Sequence, residues 1–69
     1  MAFTHTVLSA NGNRAQVQFQ NEQGEIYTRT MYLIDGSVDS PAFLEQIEMQ
    51  KTIIETRVAN GIISLVTPG

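Results

Sequence analysis

The first third of the chain alternates polar and apolar residues as β-strands do. Residues 14–20 alternate most regularly, with Ala15, Val17 and Phe19 on one side and an arginine and three glutamines on the other. Successive side chains of a strand point to opposite faces, so this pattern predicts a strand with one buried and one solvated face. Residues 3–8, rich in threonine, valine and aromatic side chains, predict a strand before it.

A third predicted strand, residues 26–34, carries apolar side chains on both faces. One face holds Tyr27, Arg29, Met31 and Leu33, and the other holds Ile26, Thr28, Thr30, Tyr32 and Ile34. A central strand covered on both sides has this composition, and so does an edge strand that meets a partner. Turns at Asn11-Gly12 and at residues 21–25, where Gly24 permits a positive φ, separate the three strands.

The second half of the chain predicts one helix. After a loop over residues 35–39, Ser40 is a favourable N-cap and Pro41 a favourable first helical residue. Asn60-Gly61 provides a stop with glycine in the left-handed cap position. We therefore predict a helix over Pro41–Ala59, followed by a short last strand over residues 62–67.

The apolar residues of this helix form one narrow stripe. At 3.6 residues per turn the stripe contains Phe43, Ile47, Ile54 and Val58, flanked by Leu44 and the stem of Lys51. The opposite, solvated side contains Glu45, Glu48, Thr52 and Glu55. Met49 and Ile53 fit neither group, and lie beside Gln46 and Arg57. They are either a docking stripe for a partner or simply two exposed apolar residues.

Together these elements predict a single α+β domain over residues 1–69, in the order β-β-β-α-β. A small antiparallel sheet of three to four strands would carry one helix packed on it. The last strand can pair centrally and parallel, because a helix crossover precedes it, or it can pair at an edge.

Composition favours a protein that acts through partners. Charged residues make up 16% of the chain, against about 25% in average soluble domains. A neutral polar surface costs less to desolvate against another protein. Domains below about 70 to 80 residues often rely on disulfides, a metal or oligomerisation. The chain contains no cysteine, which leaves oligomerisation or docking as the device we expect.

Nothing in the sequence carries a catalytic or metal-binding pattern. The one histidine, His5, lies in a predicted strand without a nucleophile motif, and we interpret it as structural. Residues 35–39 lack the ligand spacing of a calcium loop, and no phosphate-binding glycine loop occurs. Glu45, Glu48 and Glu55 are predicted on an exposed helix face, where carboxylates usually serve solubility. We expect no enzyme, no cofactor, no metal and no small-molecule substrate.

Charge and hydropathy exclude further classes of partner. Four basic residues against seven acidic ones disfavour nucleic-acid binding, although Arg29 between Tyr27 and Tyr32 has the chemistry to stack bases. The acidic helix disfavours a membrane surface, and no apolar run is long enough to span a bilayer. The residues after Met1 lack the features of a signal peptide. We expect a complete small product located in the cytoplasm, or in a particle formed there.

These observations predict a non-enzymatic structural or assembly protein that acts through protein–protein contacts. It would self-associate or form part of a larger assembly, such as a bacteriophage particle. The alternative is a small monomeric binding or regulatory module that docks on an enzyme or another partner. Candidate interface residues are Met49, Ile53, Gln46, Arg57, Tyr27, Arg29 and Met31. If the helix stripe is the contact, Ile53→Asp should abolish association without unfolding the chain. The glutamines at 16, 18 and 20 form a second candidate surface, or only a solvated sheet face.

Overall fold

The computed structural model describes residues 3–33 and 36–67 and confirms the α+β fold. Its elements are β1 (Thr4–Asn11), β2 (Arg14–Gln20), β3 (Ile26–Tyr32) and α1 (Pro41–Ala59). β2 and α1 occupy their predicted bounds. β3 ends at Tyr32, and Leu33 is not in the strand, so the predicted third strand was too long. Its predicted last residue, Ile34, and the predicted start of the loop, Asp35, lie outside the described residues.

The three strands form an antiparallel sheet in the order β1-β2-β3. β1 is longer than the predicted strand, which ended at Leu8. It continues because a β-bulge between Val7 and Ser9 absorbs one residue, after which pairing with β2 resumes up to Asn11. Gly12, with a φ of 64°, closes this hairpin.

The register of the sheet places its inward-facing residues over one core. Residues directly opposite each other on antiparallel strands share a face. Ala15, Val17 and Phe19 of β2 are buried, and their partners on β3 are Met31, Arg29 and Tyr27. His5 and Val7 are the corresponding residues of β1. The opposite face carries the glutamines of β2 and the threonines of β1 and β3, and no described element covers it.

The helix packs on the inward face of the sheet through the predicted stripe. Phe43, Ile47 and Ile54 are fully buried, and Val58 packs against them. Ser40 caps the helix: its Oγ accepts a hydrogen bond from the Phe43 amide at 3.1 Å. The predicted solvated side needs one correction. Glu55 is half-buried, because it follows Lys51 by one turn along the flank of the stripe.

The predicted last strand over residues 62–67 does not form as a strand. Gly61 adopts a φ of 74°, and the amides of the next two residues donate to the Arg57 carbonyl, which turns the chain back at the helix end. Only Val66 then reaches the sheet, in a single antiparallel bridge to Ile26. The segment after the helix, residues 62–67, therefore meets the edge of the sheet at β3. It pairs no further because its first residues form the turn at the helix end.

A buried asparagine holds the turn between β2 and β3. Asn21 is only 7% exposed. Its Oδ1 accepts hydrogen bonds from the amides of Gln23 and Glu25 at 3.0 and 2.8 Å, and its Nδ2 donates to the Glu25 carboxylate at 2.9 Å. The side chain satisfies the turn amides and so fixes the point at which β3 begins.

Candidate interaction surface

The outer edge of β3 presents backbone groups that no described residue uses. The Leu33 amide donates to the Asn13 carbonyl at 2.7 Å, so the odd-numbered residues of β3 bond to β2 and the even-numbered ones point outward. Ile26 confirms this alternation, since both of its backbone groups bond to Val66, at 2.8 and 2.9 Å. Thr28, Thr30 and Tyr32 follow the same alternation outward, and within residues 3–33 and 36–67 no strand lies opposite them.

The two edges of the sheet differ in regularity. β1 carries the bulge at Leu8, which disrupts the row of backbone groups along its outer side. β3 pairs with β2 without any register shift from Ile26 to Tyr32. It also contains no proline or lysine, the residues that commonly protect an edge from pairing. Of the two edges, β3 is therefore the more regular one.

A groove separates this edge from α1. Its lining consists of Arg29, Thr30, Met31, Tyr32, Gln46 and Gln50. Helical spacing places Met49, Ile53 and Arg57 on the same side of α1 as Gln46 and Gln50. The side of α1 that carries Met49 and Ile53 and the third strand were two separate candidate surfaces in the sequence. In the structure they lie on either side of one groove.

The predicted interface residues differ in their exposure around this groove. Gln46, Met49 and Arg57 are exposed, and Met49 retains 51% of its accessible surface. Ile53, Tyr27 and Arg29 are half-buried, and Tyr27 packs against the core. Met31 is 7% exposed and belongs to the core, so it lines the base of the groove and does not project from it.

Two polar side chains in the groove lack partners within the part of the chain that the structure describes. The Gln50 Oε1 atom is buried and accepts no hydrogen bond. Arg29 is half-buried, and no described carboxylate pairs with it. Sequence analysis missed Gln50, because a single glutamine beside an apolar helical stripe gives no signal of its own. A buried acceptor without a donor costs free energy that a bound partner can recover.

Charge is distributed unevenly around the groove. Among residues 3–33 and 36–67 no carboxylate lines it, whereas Arg29 does. The Arg14 guanidinium lies over the Tyr32 ring, with its carbon 5.6 Å from the ring centre. Glu48 lies on the other flank of α1, in a 2.7 Å ion pair with Lys51. The hydrogen bond from Lys51 lowers the pKa of Glu48, and the charges of Lys51 and His5 add to this effect.

The opposite face of the sheet is a flat polar surface. Gln16 and Gln20 are exposed and Gln18 is half-buried, beside threonines of the neighbouring strands. A depression comparable to the groove is lined by Ser9, Asn11, Arg14, Ala15, Gln16 and Thr30. All of these except Ala15 are exposed, and none of them has a buried polar side-chain atom without a partner, so this depression is the weaker candidate.

Other candidate sites are not assembled in the described residues. His5 is half-buried opposite Phe19, on the face of the sheet that α1 covers. Within residues 3–33 and 36–67, no three histidine, aspartate or glutamate side chains lie together as metal ligands. In the same ranges, no helix combines the length and the apolar character needed to cross a membrane.

Comparison of the chain with protein-family models, with curated proteins and with solved structures finds no match in any of the three. The edge of β3 and its groove are thus argued from their own geometry.

Proposed function

We propose that this chain is a non-enzymatic protein that acts through protein–protein contacts, by accepting a strand at the edge of β3. The observation that carries the proposal is the run of outward-facing backbone groups at Thr28, Thr30 and Tyr32, on a strand free of irregularities. Main-chain hydrogen bonds to such an edge give affinity, and an adjacent groove that receives alternate side chains gives specificity.

Size and composition support a role in assembly. A chain of 69 residues without cysteine gains stability by extending its sheet into another chain. A surface poor in charge lowers the desolvation cost of that contact. We propose that it works in the cytoplasm, or as a component of a particle assembled there, a bacteriophage particle being one such case. A monomeric regulatory module would use the same edge, and differs only in the chain that supplies the strand.

The strand-accepting edge is tested with a synthetic peptide that has the sequence of residues 26–33. Binding is followed by NMR through the backbone amides of Thr28, Thr30 and Tyr32, which should become protected from exchange with solvent. Thr30→Pro removes one outward amide and leaves the bonds to β2 in place, so it should abolish peptide binding. Ala10→Pro, at an outward position on β1, is the matched control and should bind normally.

Failure of the peptide to protect these amides, or equal binding by Thr30→Pro, would contradict the proposal. Circular dichroism of both proline variants establishes that each remains folded, so that lost binding is attributable to the edge.

A further inference from the structure

We infer that the partner of the β3 edge is a second copy of this chain, paired antiparallel about Thr30 to give a continuous six-stranded sheet. In this arrangement Arg29 of each copy enters the groove of the other and donates to Gln50. The inference rests on the proposed function and names its partner. It is carried by the pairing rules of the edge and by the two unpartnered side chains of the groove.

The edge offers a short stretch for pairing. Val66 already occupies the outward groups of Ile26, so Thr28, Thr30 and Tyr32 remain. Centred on Thr30, antiparallel pairing joins Thr28 to Tyr32 of the second copy, Thr30 to its equivalent, and Tyr32 to Thr28. Each such pair exchanges two hydrogen bonds, so these three pairs form six.

Neighbouring registers are poorer. Centring the pairing on Arg29 would place the two Arg29 guanidinium groups directly opposite each other, and like charges so placed destabilise a sheet. It would also oppose Tyr32 to Ile26, whose groups the tail uses. Among the described residues, centring it on Met31 would leave only the two pairs of Thr30 with Tyr32. Repulsion between the two Arg29 side chains thus disfavours the register centred on Arg29, and charged residues often exclude wrong pairings in this way in specific interfaces.

The register about Thr30 sets Arg29 opposite Met31 of the second copy, on the face of the sheet that carries α1. Met31 lines the groove together with Gln50, whose Oε1 atom is buried without a donor. Arginine has five N–H donors and no acceptor. Arg29 of the second copy, which this register places in the groove, therefore supplies the hydrogen-bond donor that Gln50 lacks. The two-fold axis produces the same contact between Arg29 of the first copy and Gln50 of the second.

The spacing of the sheet explains why arginine makes this contact. The two-fold axis is perpendicular to the sheet, so both helices lie on one face. Each packs on its own core, at the centre of which Val17 and Phe19 of the middle strand β2 are fully buried. Three strand spacings separate the two β2 strands, about 14 Å, whereas helices in contact lie about 8–10 Å apart. Met49 and Ile53 do not meet their equivalents across that gap. The gap is instead filled by long side chains, with Arg29 at its base.

The first test is the molar mass by light scattering after size exclusion, over about a hundredfold range of concentration. The wild-type chain and Ala10→Pro should form a dimer. Thr30→Pro removes the two central hydrogen bonds and should weaken dimerisation about 30-fold or more. Ile53→Asp should change the dissociation constant by less than about threefold, since the helices do not touch.

The register is tested by single cysteines, because the chain contains none of its own. Residue 30 faces itself across the axis, whereas the two copies of residue 28 lie about 14 Å apart along the strands. A short bismaleimide should therefore cross-link Thr30→Cys efficiently and Thr28→Cys poorly. The opposite preference would overturn the register and, with it, the inference.

The groove contact is tested by Arg29→Ala, which should weaken dimerisation about tenfold or more. Gln50→Ala should remove most of the additional effect of Arg29→Ala in a double-mutant cycle. Lys51→Ala, on the flank of α1 away from the groove, is the matched control and should leave the dimer intact. Additive losses from Arg29→Ala and Gln50→Ala would contradict the contact.

The failures of the inference and of the proposed function are distinct. A monomer at every concentration that still binds the peptide of residues 26–33 overturns the second copy and leaves the strand-accepting edge standing. An oligomer that Thr30→Pro does not weaken overturns the second copy at this edge, because association then uses another surface. Failure of the peptide to bind overturns the strand-accepting edge itself.

Discussion

Replacement of Asn21 by alanine tests whether one side chain holds the turn that positions β3. The substitution removes three hydrogen bonds, to the amides of Gln23 and Glu25 and to the Glu25 carboxylate. At about 1 kcal/mol for each bond, and with two turn amides left without their acceptor, the free energy of unfolding should fall by about 2–3 kcal/mol. A domain of this size gains only about 3–5 kcal/mol from its core, so the loss is a large fraction of the total.

The assay is urea unfolding followed by far-ultraviolet circular dichroism. Asn13→Ala is the control, since Asn13 is an exposed asparagine in the other hairpin turn, and it should cost less than about 0.5 kcal/mol. Both variants are measured at two protein concentrations, because association adds to apparent stability. Equal losses for Asn21→Ala and Asn13→Ala would refute the reasoning.

Three further substitutions have defined outcomes. Ser40→Ala removes the N-cap hydrogen bond to Phe43 and should lower the free energy of unfolding by about 1 kcal/mol in the same assay. Ile54→Ala empties a fully buried position of the helix and should cost about 2–5 kcal/mol; a loss below about 1 kcal/mol would contradict the packing described. Lys51→Met removes the hydrogen bond that lowers the pKa of Glu48, so NMR titration should show that pKa raised towards its ordinary value. Because the folded-state pKa of Glu48 is lowered, its contribution to stability is present above its unfolded pKa, declines as pH falls through the folded-state value, and should disappear in Lys51→Met.

The predictable parts of this fold are those determined by residues close together in sequence. The bounds of α1 follow from Ser40-Pro41 at one end and from Asn60-Gly61 at the other, and the alternation in residues 14–20 defines β2. Each of these signals depends on residues within a few positions of one another, so it does not depend on the contacts that the rest of the chain makes.

The parts that could not be predicted depend on contacts between distant residues. An apolar run at 62–67 resembles a strand, but the turn after Gly61 leaves only Val66 in reach of β3. The bulge at Leu8 is set by its pairing with β2, which the local composition does not reveal. The role of Asn21 was also missed, because residues 21–25 signal a turn without showing which side chain is buried within it.

The sequence predicted some residues of the candidate groove, but it did not predict that they lie together. Arg29 and Gln46 were both named from the sequence, but as members of two separate surfaces. Only the packing of α1 beside β3 shows that they line one groove. Gln50 became visible through a single buried oxygen atom, a property that depends on tertiary packing and leaves no periodic trace in the sequence.

The irregularity at Leu8 determines how far the pairing of sheets can continue. When two copies join through β3, both outer edges of the combined sheet are β1 strands, and each carries the bulge. On the proposed pairing, growth would terminate at two chains, whereas a sheet with two regular edges would propagate towards fibrils. The bulge would then limit a chain whose strands are rich in threonine and glutamine to a closed pair.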